Sequence, residues 1–204
     1  MKIDNELTLR RRRQILEAAT VIFARYGYRQ TDVQYIADKA GIGKGTVYRY
    51  FPSKKQLFLS AVDQGMQNLK QKIDSDMEKS KDPFIQLQNA ARAYLNFFHD
   101  HPEIIELFIQ ERSEFKDRKM TTYLVYREAS LQKWQKLFSK LMEQGKVRQM
   151  PVSRIIDVLN SIFYGTIFSA YFTGNPKSGQ KQAEEILDIV LNGILHKSAV
   201  DPEI

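Results

Sequence analysis

The sequence has no cysteine among its 204 residues. Disulfides and thiolate zinc sites are therefore excluded, in keeping with a reducing cytoplasm. Long apolar runs are also missing: no stretch approaches the roughly 20 residues that a membrane span requires. The opening MKIDNELTLRRRR lacks the apolar core of a signal peptide. A cytoplasmic protein without a membrane partner is expected. Histidine is scarce, with three in all. His99 and His101 flank Asp100, and an HxH step is a weak metal signal beside the simpler reading of exposed histidines at a helix end. No Ser/His/Asp arrangement or paired carboxylates stand out. The chain is expected to be neither an enzyme nor a holder of a cofactor or metal. Strand periodicity is missing too.

What is present is positive charge, unevenly placed. Residues 1–60 hold 12 Lys/Arg against 5 Asp/Glu, and residues 61–204 hold 19 of each. The whole net charge of +7 therefore lies in the N-terminal third. Basic charge concentrated on a small module is the footprint of a polyanion-binding surface, although a merely basic end would give the same sum.

The rest of the pattern is helical. Ile15, Ala19, Ile22, Phe23 and Tyr26 recur at three and four residues, and Gly27 supplies a stop. Thr31 and Gln34 have capping-box spacing ahead of a short helix with Val33, Ile36, Ala37 and Ala40 inward. After Gly41-Ile42-Gly43 a third short helix is predicted from about Lys44 to Tyr50, ended by Pro52. Ser53 and Gln56 form a second capping box before a longer helix to about Lys79, striped by Phe58, Val62, Met66, Leu69, Ile73 and Met77. Further helices are predicted from Asp82-Pro83 through Phe98, from Pro102 through IIELFIQE, and over Thr121 to Gln144 with Leu124, Leu131, Trp134, Phe138 and Leu141 inward. Ser153 is read as the cap of an apolar helix to about Thr173, GNPKSG as a turn, and Gln180 to about His196 as the last helix. The expected fold is all-α, with about nine helices.

The stretch Gly41 to Leu57, GIGKGTVYRYFPSKKQL, holds the chemistry. Glycine with lysine suggests phosphate, but a nucleotide P-loop fails at Gly43-Lys44. The required first glycine is Asp38, the required Ser/Thr is Gly45, and the preceding VQYIADKA is helix-like rather than a strand. Two short helices around a glycine turn instead make a helix-turn-helix, whose second helix lies in the DNA major groove. Gly43 and Gly45 would let backbone approach the duplex. Lys44 stands where helix N–H groups and a cation meet an anion or a base edge. Tyr48 and Tyr50 carry hydroxyls that can bond phosphate, with core packing as the competing reading for Tyr48; Phe51 is read as core. Lys54 and Lys55 can clamp the flanking backbone, though Lys55 also reads as a solvated lysine. Arg10 to Arg13 either reach DNA or form a basic tail.

Through RRRQILEAATVIFARYGYRQTDVQYIADKAGIGKGTVYRYFPSKKQLF the sequence resembles the DNA-binding domain of the TetR/AcrR family of bacterial transcriptional regulators. The helix-1 pattern, the TxxxIAxxAG block and the KGTVYxYFxSKxxL block occur in register. The resemblance implies DNA contact by Thr31 at the start of helix 2, by Lys44, Gly45 and Thr46 near bases, and by Tyr48 at phosphate. Arg49 would face bases or phosphate, Tyr50 takes a place often held by histidine, and Lys54 anchors the start of helix 4. Gly43 departs from the family's common serine, removing a capping hydroxyl.

Residues 1–56 are therefore expected to be a helix-turn-helix DNA-binding domain, and 57–204 a helical domain for dimerisation and ligand binding, as in the family. RIIDVLNSIFYGTIFSAYF is too apolar for a one-sided surface helix, and with EEILDIVLNGIL it would pair across a two-fold axis, Ser161 and Gly165 permitting close approach. Burial of both helices within one subunit is the alternative. Tyr94, Phe98, Phe108, Tyr123, Trp134 and Phe163 could line an apolar pocket or be ordinary core. The expected function is a dimeric repressor that binds roughly palindromic double-stranded DNA and is released by a small hydrophobic or amphipathic effector. A protein that binds DNA architecturally, without sequence preference, is the alternative.

Overall fold

A computed structural model describes residues 2–174 and 178–193, with side chains from residue 6. The described residues form ten helices and no strand. In order these are α1 (Lys2–Gln30), α2 (Val33–Lys39), α3 (Lys44–Tyr50), α4 (Lys54–Met77), α5 (Pro83–Asp100), α6 (Pro102–Glu114), α7 (Thr122–Ala129), α8 (Leu131–Glu143), α9 (Val152–Thr173) and α10 (Gly179–Asn192). The extra helix arises where the segment Thr121 to Gln144 was expected to run unbroken. It is interrupted at Ser130, whose hydroxyl donates to the Tyr126 carbonyl at 2.9 Å. Arg10 to Arg13 belong to α1 rather than to an irregular tail.

The chain divides into two compact units. The first comprises residues through Gln71 together with His101–Ser130. It contains α1 to α3, most of α4, α6 and α7. Phe23, Phe51, Phe58, Ile15, Ile36, Leu57 and Val47 are fully buried. Each large apolar side chain withdrawn from water contributes roughly 1.5–3 kcal/mol. Phe23 meets Phe58 edge-on at 5.1 Å, and Tyr28 meets Phe58 and Phe115 at 5.2 and 5.0 Å. Helix α6 is tied to α1 by Gln110, whose Nε2 donates to the Phe23 carbonyl, and by the Arg29–Glu114 ion pair at 2.8 Å. Glu111 is 1% exposed, yet its carboxylate is satisfied. It accepts from the amide and hydroxyl of Thr122 at the start of α7, and Arg118 Nη1 lies 3.3 Å away. Tyr26 and Leu124, both expected inward, are exposed.

The second unit holds Lys72–Asp100 and the chain from Leu131 onward. Helix α5 is its spine, with Leu87, Ala91, Leu95 and Phe98 buried, and α8, α9 and α10 pack on it. At Gly179 a Cβ would come within 2.4 Å of Asn96 Oδ1 and 2.5 Å of its backbone nitrogen, so only glycine admits this approach of α10 to α5. Ser178, not a residue inside the helix, caps α10 by accepting from the Lys181 amide. Ser153 does not cap α9: the helix begins at Val152, with Pro151 at the cap position. The expected end of the last helix near His196, and part of the GNPKSG turn, lie outside the described residues.

Helix α9 corrects one expectation. Among the described residues it is the one helix long and apolar enough to cross a membrane by length and composition. Its charges, Arg154 and Asp157, sit in the first turns, and the following stretch carries none. Only 17% of the 18-residue apolar window of the helix is buried within the chain.

Candidate nucleic-acid interface

The first helices are held in place by a few backbone devices. Within α1, Gly27 takes φ 78°, ψ 157° and breaks the helical run. The carbonyl it frees accepts from the Thr31 hydroxyl at 2.7 Å and from the Thr31 amide at 3.2 Å. Thr31 is consequently 2% exposed and does not cap α2. The cap is its neighbour Asp32, whose Oδ1 accepts from the Gln34 amide at 2.8 Å. Both residue types suit an N-cap, and the demand of the Gly27 carbonyl decides between them. After α2, Gly41 turns the chain with φ 63°, a conformation costing a side-chain-bearing residue roughly 1–2 kcal/mol.

Helix α3 then starts at Lys44, with Gly43 at the cap position and no side-chain cap bond. That agrees with the loss of a hydroxyl where serine is common. Val47 and Phe51, both 0% exposed, lock one side of α3 into the core. Arg12 lies 4.5 Å over the Phe51 ring, and Gln14 Nε2 donates to the Ala40 carbonyl at 2.7 Å. Sequence reasoning left Gln14 and Asp32 without a role, and read Arg12 only as one of four arginines that reach DNA or form a basic tail.

The other side of α3 faces solvent. Gly43, Gly45, Tyr48 and Arg49 are exposed, with Lys44, Thr46 and Tyr50 partly so. A Cβ added at Gly43 or Gly45 would meet nothing within 4 Å, and neither glycine has a positive φ. The fold thus gives no reason for glycine at Gly45, whereas Gly43 stands at the N-cap, where glycine is tolerated. The Arg49 guanidinium lies 5.9 Å from the Tyr50 ring. Lys44 Nζ is 2.7 Å from Asp32 Oδ1, a bond that raises the lysine pKa. The Asp32 carboxyl is held below its ordinary value by the Gln34 amide and then by Lys44. Lys54 turns inward: its Nζ donates to the Arg29 carbonyl at 3.0 Å and lies 4.9 Å from the Tyr28 ring, and burial lowers its pKa. Ser53 caps α4 by accepting from the Gln56 amide at 3.1 Å.

The six aromatic residues expected at a ligand pocket fall into groups. Tyr94, Phe98 and Phe163 stand together in the second unit, at 5.0 and 5.7 Å. Phe108 and Tyr123 pair at 5.6 Å in the first, and both are buried. Trp134 is half-buried on α8, beneath Lys133. A groove of about 470 Å³ lies within the first unit, lined by Ser53, Lys55, Gln56, Leu59, Arg118 and Tyr126 among others, and by none of those aromatics. On its wall the Tyr126 hydroxyl donates to Asp63 Oδ1 at 2.9 Å; burial, and after it this bond, pushes the Tyr126 pKa up to about 12. His101, at the start of α6, pairs with Glu103 at 3.1 Å.

The profile described as bacterial regulatory proteins, tetR family, matches residues 15–61, the span from the middle of α1 into α4. The HTH-type transcriptional regulator YhgD of Bacillus subtilis is 36% identical over 108 residues, which is 53% of this chain and 56% of that protein. The HTH-type transcriptional repressor KstR2 of Mycobacterium tuberculosis is 25% identical over 186 residues, 90% of this chain and 92% of the repressor. Among solved structures, FadR from Bacillus subtilis in complex with stearoyl-CoA superposes with a TM-score of 0.76 at 17% identity, covering 89% of this chain and 98% of that one.

Proposed function

The chain belongs to the TetR/AcrR family of bacterial transcriptional regulators, and from that premise we propose that it is a two-fold dimeric repressor, released from its operator by a small hydrophobic or amphipathic ligand. Residues 1–56 form the DNA reader, and residues 57–204 regulate and dimerise. Lys44, Gly45 and Thr46 meet the base edges, Tyr48 and Tyr50 bond phosphate, and Arg49 serves either. Thr31 and Lys54 act by fixing α2 and α4, since their polar atoms are held by the Gly27 and Arg29 carbonyls. The observation that carries the reading is the open side of α3. Gly45 lies within α3, where glycine lowers stability relative to alanine, and among the described residues nothing occupies the place of its missing side chain. An approaching duplex accounts for it.

Dimerisation through α9 and α10 is supported by what those helices leave uncovered. Val158, Tyr164 and Phe172 on α9 and Ile189 on α10 are exposed, Phe172 at 68%. Gly165 would meet nothing with a Cβ and suits close helix approach. An apolar face of this extent is the usual mark of an interaction surface, and a second copy satisfies it. A two-fold dimer presents two copies of α3 to one face of DNA, which calls for a roughly palindromic operator.

The ligand reading draws on the aromatic group Tyr94, Phe98 and Phe163 inside the regulatory portion. Stearoyl-CoA, held by FadR, is an amphipathic molecule of the proposed class. Such a ligand must bind one arrangement of the two DNA-reading heads better than another, or it cannot alter DNA affinity. The test is a screen of long-chain acyl thioesters and other lipophilic compounds for release of bound DNA, with the fluorescence of Trp134 followed in parallel. Release at a saturable concentration supports the reading. DNA affinity indifferent to every compound would leave a constitutive DNA-binding dimer.

A further inference from the structure

We propose that Asp32 is a specificity-determining residue: it serves Lys44 as an internal substitute for a DNA phosphate and so keeps the recognition helix from binding DNA of unrelated sequence. The inference rests on the reading of α3 as the DNA-facing helix. Lys44 Nζ and Asp32 Oδ1 are 2.7 Å apart, within the range of a charge-assisted hydrogen bond. The two side chains keep 39% and 54% of their exposure, and exposed pairs of this kind add little to folding. The pair therefore has no core to hold together. Nor is the carboxylate free to wander, because the same oxygen caps α2 through the Gln34 amide at 2.8 Å. One rigid acceptor thus sits between the N-termini of α2 and α3, on the most basic part of the molecule.

Its effect on DNA depends on how the duplex is held. Binding to unrelated DNA draws almost wholly on phosphates. A phosphate approaching Lys44 meets a cation already matched and a carboxylate that repels it. On the operator, α3 enters the major groove, where base edges offer donors as well as acceptors. Lys44 can there leave Asp32 for guanine O6 or N7, and the carboxylate can accept from a cytosine amino group. Asp32 thus penalises the phosphate-only mode more than the groove-reading mode, which is specificity obtained by repulsion.

The test uses Asp32→Asn in the full-length protein, because asparagine caps helices as well as aspartate. Two probes are needed: a pool of random-sequence duplexes, and the duplex that the wild-type protein enriches from that pool. The variant is expected to bind the pool more tightly, with a log K versus log salt slope steeper by about 0.9. Its advantage over wild type should then fall about threefold for a fourfold rise in salt. Affinity for the enriched duplex should change less, so the ratio of the two affinities drops. In a Lys44→Ala background, where only the repulsion by the carboxylate is left to remove, Asp32→Asn should give a smaller gain in pool binding and no change in salt slope. Wild-type slope and affinity in the variant, or an equal gain without Lys44, would overturn the proposal. Weaker binding to both probes would also overturn it, leaving Asp32 as a cap alone. If the wild-type protein itself binds the pool with no dependence on salt, the DNA reading fails, and that is seen before any variant is compared.

Discussion

Replacing Gly45 by alanine separates what α3 does for the fold from what it does for DNA. The added methyl meets nothing within 4 Å. The residue lies in the first turn of α3 with no positive φ, so alanine fits without strain. Alanine is preferred to glycine by up to about 1 kcal/mol inside a helix, and about half of that is a fair figure for a first turn. For a chain of this size roughly 2–4 °C of Tm accompany each kcal/mol, so Tm should rise by about 1–2 °C. DNA binding should move the other way. A methyl at the contact pushes the duplex from the α3 amides. Losing one hydrogen bond to a charged phosphate, about 1.5–3 kcal/mol, weakens affinity about ten- to a hundredfold. Thermal unfolding and fluorescence anisotropy with the enriched duplex measure the two effects. Gly41→Ala is the control: with φ at 63° it should cost about 1–2 kcal/mol of stability. A Gly45→Ala protein of raised stability that binds DNA as well as wild type would refute the placement of this turn against DNA.

Other outcomes follow from the same structure. A charge at Ile162 or Leu191, as in Ile162→Glu, should yield monomers or aggregates in sedimentation, while the unmodified protein sediments as a dimer. Glu111→Ala should lower the unfolding free energy by about 1–3 kcal/mol in urea titrations, because the buried Thr122 amide loses its acceptor. Tyr126→Phe removes the bond to Asp63 and should cost about 0.5–1.5 kcal/mol at neutral pH. The folded-state pKa of Tyr126 is raised from 10.0 to about 12, so its stabilising effect is complete below pH 10 and lost as pH climbs to about 12. The stability gap between wild type and Tyr126→Phe, measured by denaturation across that range, should narrow with rising pH.

Much of the reading head was legible in the sequence because its signals are local. The bounds of α3 at Lys44 and Tyr50 follow from the glycine turn before it and Pro52 after it. Ser53 with Gln56 marked the start of α4 correctly. The errors came where a distant or competing partner decides. Thr31 and Asp32 both suit a cap, and only the kink at Gly27 shows which hydroxyl or carboxylate is already engaged. The inward turn of Lys54 depends on the Arg29 carbonyl, 25 residues away in sequence. No breaker in EASLQ announces the interruption at Ser130. The buried Glu111 is indistinguishable by spacing from any helical surface carboxylate until Thr122 and Arg118 are brought to it. The aromatic residues show the same limit: helical spacing marks them as inward-facing, not which of them share a cluster.

The central claim, that paired copies of α3 read a specific sequence, is tested most directly by selection from the random duplex pool with purified wild-type protein, followed by sequencing. An enriched inverted repeat is expected, its half-site centres roughly 34–36 Å apart, one turn of B-DNA, or a multiple of that distance. Lys44→Ala and Tyr48→Phe should weaken retention of that repeat. Bound DNA with no enriched sequence would contradict the claim and mark the chain as a DNA-binding protein without sequence preference.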